Sequence, residues 1–209
     1  MRFVRERLEI VAICQRLYNR QLIAGPEGNV SVRVGDLVLC TPSGKCKGFL
    51  SAADLVVVDL AGGVVEGHER PTSELSMHLA LYRARQDVAA IVHAHPPFAT
   101  AFALTGTGLP DGLLSEVELF LGPVVRVPYR LPGSTALAEQ VRRCMPAPVS
   151  TALLQNHGAV TLGPTLERAW QRMEVLEAAC RAIWYALPLN KPKTLPKSAI
   201  ASLRRRYTF

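Results

Sequence analysis

The 209-residue sequence contains no Cys-x-x-Cys pair, and its five cysteines (Cys14, Cys40, Cys46, Cys144 and Cys180) are odd in number and scattered. That spacing excludes a zinc knuckle and a thioredoxin-type motif, and a chain this long and apolar needs no disulfide staples. There is no run of about 18 apolar residues to span a bilayer. The opening stretch from Met1 to Glu9 is charged throughout and has no apolar h-region, so it does not read as a secretory signal. A reducing cytoplasm is therefore the expected compartment. A Rossmann glycine fingerprint is missing as well, and no internal repeat, linker or low-complexity block interrupts the chain before residue 187.

One further absence is local. Residues 178–209 hold no acidic residue but seven basic ones: Arg181, Lys191, Lys193, Lys197, Arg204, Arg205 and Arg206. The formal net charge of +7 comes from 24 basic and 17 acidic residues, so the rest of the chain is balanced at seventeen of each sign. A pI near 9.5 invites a polyanion partner, but the excess lies wholly in the tail. Such a tail binds nucleic acid, is merely solvated, or folds over an anionic site. The chain as a whole, with 49% hydrophobic and 20% charged residues, has a globular composition.

The pattern predicts a single domain over 1–187 and a basic, proline-containing tail over 188–209. Apolar residues at helical steps predict a helix over 4–23, and β-branched runs around Gly35-Asp36 predict a hairpin. Further strands are expected at 56–59, 64–65, 88–95, 124–127, 150–155 and 160–162. Helices are expected from Pro71 to about Arg85, over 98–104, from Ser134 to about Cys144, and from Pro164 to about Ala186. Thr72 or Ser73 is the expected cap of the second helix, and Lys191 to Pro196 reads as irregular. This alternation favours an α/β fold: a three-layer αβα sandwich around a mixed, largely antiparallel sheet.

His93-Ala94-His95 is the most informative tripeptide. Residues i and i+2 of a strand share a face, so both imidazoles project together at the strand's C-terminal end. Two imidazoles are half of a zinc-type site, and alone they read equally as polar residues ending a strand. His157, after the run Thr151 to Asn156 and before Gly158, supplies the candidate third ligand. Three neutral imidazoles with an open position suit a catalytic metal. Glu74, at a helix start just ahead of the His93 strand, reads either as dipole compensation or as a ligand and general base. His68 and His78 read as ordinary, although His78 lies four residues after Glu74 on the same helix face, which leaves it a minor supporting role behind the metal ligands. Gly28-Asn29, Ser43-Gly44 and Thr72-Ser73 are short turns with exposed N–H groups. If they converge, they suit a phosphate.

Five stretches carry a family resemblance: Gly28 to Arg33, Thr41 to Gly44, Arg70 to Glu74, Val92 to Pro96, and Leu154 to Gly158. Across roughly residues 5–186 they resemble the class II aldolase/adducin family, its bacterial L-fuculose-1-phosphate aldolases in particular. The resemblance implies a homotetramer with active sites between subunits. It implies a divalent metal, usually Zn2+ (Mn2+ and Co2+ suit the same ligands), held by His93, His95 and His157. Glu74 matches the family's catalytic carboxylate, which also ligates the metal. Gly28, Asn29, Ser43, Gly44, Thr72 and Ser73 match its phosphate-binding loops.

The implied reaction is cleavage of a ketose 1-phosphate to dihydroxyacetone phosphate and an aldehyde through an enediolate. The family's aldolases place a tyrosine between the His-x-His strand and the next strand. Here no tyrosine occurs between Tyr82 and Tyr129, and Glu116, Glu118 and Tyr207 are the candidate replacements, although a glutamate pair in an edge segment also reads as simply solvated.

Other outcomes on the same scaffold are a sugar-phosphate epimerase, which tends to carry aspartate at the Glu74 position, and a methylthioribulose-1-phosphate dehydratase. A non-catalytic adducin-like binding module lacks the metal histidines that are present here. A nucleic-acid binder acting through Tyr207, Phe209 and the arginines has no reading motif in the neutral body. The expected partner is a small phosphorylated sugar, with neither a membrane nor nucleic acid involved.

Overall fold

A computed structural model describes residues 1–190 and 192–206. Helix α1 (Val4–Asn19) is followed by strands β1 (Asn29–Val34), β2 (Leu37–Cys40), β3 (Val56–Asp59) and β4 (Val64–Glu66). Next come α2 (Leu75–Ala84), β5 (Ala90–Ala94), α3 (Pro97–Thr105), β6 (Val124–Val127) and α4 (Thr135–Cys144). Strands β7 (Thr151–Leu154) and β8 (Gly158–Gly163), then α5 (Leu166–Ala186) and α6 (Lys197–Arg206), complete the chain.

The eight strands form one sheet in the order β4-β3-β2-β1-β5-β8-β7-β6. Every pairing is antiparallel except the parallel β6–β7 pair. Successive side chains of a strand point to opposite faces, and the core obeys that alternation. Leu39, Val57, Val92, Leu153 and Ala159 pack with Leu17 of α1 and Trp170 and Met173 of α5. Val38, Val58, Ile91, Ala152 and Val160 pack on the other face with Met77 and Leu81 of α2 and Leu137 of α4. The expected αβα sandwich is therefore the observed one.

Ser134 caps α4 by accepting a bond from the Leu137 N–H at 3.1 Å, and Thr165 caps α5 likewise through Arg168 N. Such caps are worth about 1 kcal/mol each. All five cysteines are free thiols. Burial pushes the Cys14 and Cys40 thiols up to about 12, so both behave as small apolar groups.

Three expectations change. Helix α2 starts at Leu75, with Glu74 itself in the cap position, while the Thr72 hydroxyl accepts from Glu74 N at 3.3 Å. Neither Thr72 nor Ser73 is the cap, because the chain from Arg70 to Thr72 is held extended by bonds to Thr41 and Ser43. Residues 192–196 are irregular, as expected, but the tail then forms α6. The residues from Val117 to Leu121 form a π-helical turn rather than a solvated edge. Glu118 lies buried there and accepts the Gly112 N–H at 2.8 Å. Segment and tail dock together: Leu195 N donates to Gly112 O at 2.6 Å, and Ile200 sits against Gly112.

Candidate active site

The site lies at one end of the three central strands. Asn29 opens β1 directly opposite His93 of β5, and His93 stands opposite Val160 of β8. His95 follows β5 by one residue, and His157 immediately precedes β8. Glycine is required beside these histidines. A Cβ on Gly158 would fall 2.5 Å from Ala94 O and 2.6 Å from the His95 ring. Gly28, at φ +70°, lies where a Cβ would meet the His93 carbonyl at 3.0 Å.

The three imidazoles meet edge to face, with ring centroids 4.7 to 5.0 Å apart. Their candidate ligand atoms all lie within 4.8 Å of one another. His93 Nδ1 is 2.9 Å from Ala159 O, a carbonyl that only accepts, so Nδ1 carries the proton. His95 Nδ1 donates in the same way to Glu27 Oε2 at 3.0 Å. In the neutral rings both Nε2 lone pairs then face inward, 3.1 Å apart.

Glu74 Oε2 is 2.9 Å from His93 Nε2, and Oε1 is 3.5 Å from His157 Nε2. Both Glu74 Oε1 and His157 Nδ1 are buried without a hydrogen-bond partner. One proton serves one pair of these atoms, whereas a divalent cation serves all the inward lone pairs at once. The donor set of three imidazoles and a carboxylate therefore fits a divalent metal. Burial, reinforced by the charge of His93, pushes His157 down to about 4, which keeps it in the neutral ligating form near pH 7. Burial opposes ionisation of Glu74. The His93 charge, with help from His157 and the Asn29 amide, overrules that and holds the carboxyl below its ordinary range.

Behind Glu74 runs a hydrogen-bond chain of fixed direction. The Asn29 amide donates to Glu74 Oε2 at 2.9 Å, so its oxygen must accept. His78 Nε2 therefore donates to Asn29 Oδ1 at 2.6 Å, and His78 Nδ1 accepts from the Ser31 hydroxyl at 2.6 Å. The Tyr82 hydroxyl, 2.8 Å from Ser31 Oγ, completes the chain. Burial holds His78 down to about 3, so it stays neutral and its two nitrogens keep these separate roles. The supporting role left open for His78 is thus filled through Asn29 rather than by contact with Glu74. His78 is fully buried and fixes which way the Asn29 amide points.

A cavity of about 320 Å³ opens in front of Glu74 and is lined by Gly28, Asn29, Ser43, Gly44, Thr72 and Ser73, together with Glu27, Lys47, His95 and His157. The three turns thus converge, joined by an isolated bridge between Pro42 and Pro71. One amide N–H of Asn29 is already committed to Glu74. Two of the proposed tyrosine replacements are elsewhere: Glu118 lines a separate cavity with Asp111 and Lys197, and Glu116 is exposed outside the site. Tyr207 lies outside the described residues. Sequence reasoning missed Glu27 and Lys47, since no periodicity marks a carboxylate in a turn or a lysine in a glycine-rich loop.

Residues 8–184 match the family described as Class II Aldolase and Adducin N-terminal domain. The chain belongs to this class II aldolase and adducin family, and within it to the lyases. It is 42% identical over 183 residues to the L-fuculose phosphate aldolase of Methanococcus vannielii, a match covering 88% of this chain and 98% of that one. It is 34% identical over 206 residues to the 5-deoxy-D-ribulose 1-phosphate aldolase of Bacillus thuringiensis, covering 97% and 95%. A solved L-fuculose 1-phosphate aldolase shares its fold with a TM-score of 0.88 at 29% identity, covering 97% of this chain and 96% of that one.

Proposed function

We propose that the protein is a divalent-metal-dependent aldolase that cleaves a ketose 1-phosphate, similar to L-fuculose 1-phosphate, into dihydroxyacetone phosphate and an aldehyde. The observation that carries this reading is the convergence of three imidazoles, one carboxylate and three anion-type turns on a single cavity.

His93, His95 and His157, with Glu74, would hold the metal, most simply zinc, with manganese and cobalt suited to the same donors. When bound, the metal supplies Lewis acidity that stabilises the negative charge left on the ketone fragment as the carbon–carbon bond breaks. Glu27 and the Ala159 carbonyl keep the ligating nitrogens of His95 and His93 turned inward. Asn29 holds Glu74 Oε2, leaving Oε1 to carry the proton that the carbon of the donor fragment takes up on cleavage. Gly28, Asn29, Ser43, Gly44, Thr72 and Ser73 would bind the phosphate and turn that remote binding into positioning at Glu74.

The same proposal includes a single domain over 1–187 followed by a basic tail, and a homotetramer with sites between subunits. Trp184, Tyr185, Leu187 and Leu189, each at least half exposed at the end of α5, support a subunit contact. A cytoplasmic location goes with this reading, and no helix among the described residues is long and apolar enough to cross a membrane.

The test incubates metal-reconstituted protein with a panel of ketose 1-phosphates and detects triose phosphate. Release of dihydroxyacetone phosphate, abolished by chelation and restored by zinc, is expected. A product of unchanged carbon count would mean an epimerase or dehydratase outcome instead.

A further inference from the structure

Lys47 is an anomaly among the buried cations. It is 2% exposed, yet its ammonium makes no ion pair among the described residues. The other two buried cations both have carboxylate partners: Arg7 pairs with Glu66 and Arg85 with Asp87. The Lys47 Nζ instead donates to Pro26 O and to Lys45 O, each at 2.7 Å. An ammonium has three N–H bonds, so one is left without a protein acceptor among the described residues.

Burying a charge without a counter-charge is expensive, and here burial pushes the Lys47 pKa down, as that cost requires. Unlike Arg7 and Arg85, Lys47 lines the cavity in front of Glu74, beside Ser43, Gly44, Thr72 and Ser73. Its two bonds tie the loop that carries Gly28 to the turn that carries Gly44. The same ammonium therefore fixes the spacing of two anion-type turns and leaves positive charge between them.

We propose that Lys47 is the specificity-determining cation of this cavity: its unneutralised ammonium pairs with the phosphate group of the ligand. The inference rests on the reading of the cavity as a phosphate-ester site and deepens it, since the backbone turns alone supply dipoles but no full charge. Lys47 touches the non-reacting end of the ligand, so it acts on binding and positioning rather than on the proton transfer at Glu74.

The experiment titrates inorganic phosphate into full-length, metal-loaded protein and into K47M, K47Q and K47R. Phosphate affinity should fall about tenfold to a hundredfold in K47M and K47Q, the range of one charge-assisted hydrogen bond. K47R should recover part of that loss. Metal content should be unchanged, and the salt dependence of phosphate binding should flatten in the neutral variants. For a phosphorylated ketose the loss should fall on KM, with kcat within about threefold.

A purely structural staple predicts something else: lower thermal stability with no change in salt dependence. K47Q keeps an amide donor toward the two carbonyls and so covers the case in which K47M fails to fold. Unaltered phosphate affinity in a folded, metal-loaded K47M or K47Q overturns the inference, as does failure of the parent protein to bind phosphate. Phosphate binding that depends on Lys47, without cleavage of any ketose phosphate, would instead overturn the aldolase reading and leave this one standing.

Discussion

Around Glu74 the chain buries His78, His93 and the carboxylate itself almost completely, whereas α6 leaves Arg205 and Arg206 in solvent. The two regions handle charge in opposite ways. At the strand ends the ionisable groups are held by named partners, and two atoms of the cluster, Glu74 Oε1 and His157 Nδ1, are buried without a hydrogen-bond partner. In the tail the charges cost little because water solvates them, and the helix docks through Leu195 and Ile200 instead. The net charge of +7 therefore marks the less specialised region. Function is read better from buried polar groups, which persist only where something satisfies them.

The sharpest way to break this contrast is at Glu74. Glu74→Gln keeps the shape and the Asn29 contact but removes the proton carrier. Turnover should fall by about 10²- to 10⁴-fold, while the three histidines retain metal, though less tightly. Metal analysis beside steady-state kinetics checks both halves. Full activity in Glu74→Gln would remove the proton role altogether.

A smaller effect is expected one layer out. Glu27 meets the histidine cluster through the outer nitrogen of His95, at 3.0 Å, while its other oxygen accepts the Ala24 N–H at 2.6 Å. Glu27→Ala should lower metal affinity by about 10- to 100-fold, with activity restored by excess metal. Competition with a chelator measures the loss, and unchanged metal affinity would show that the His95 ring is held by packing alone.

Much of this was legible in the sequence because it depends on local order. The His-x-His pair is a strand period, Gly158 follows His157 directly, and the strand runs carry the alternation that sorts Leu39 from Val38 across the sheet. Glu27 and Lys47 were not legible, because their partners are set by how loops meet: Glu27 reaches His95 across 68 residues. The helix spacing hinted at a supporting role for His78, but not its route, which passes through Asn29, 49 residues away. Helix α6 was missed because Pro192 and Pro196 read as breakers, and ten residues gain their helical stability from docking more than from pattern. The burial of Glu118 was not legible because a π-helical turn leaves no simple periodic mark.

The mildest prediction tests the tail itself. Since α6 rests on Gly112 and the Glu118 turn rather than on the histidines, removing residues 197–209 should leave metal content intact. The cut exposes Gly112 and one wall of the cavity lined by Asp111 and Lys197. If that wall borders a site shared with another subunit, KM rises or kcat falls by less than about tenfold, an effect of remote positioning. Retention on heparin at low salt should drop in the same truncation because four of the seven tail charges, Lys197, Arg204, Arg205 and Arg206, leave with it. Kinetics identical to the full chain would reduce the tail to surface charge and leave the buried cluster as the sole seat of function.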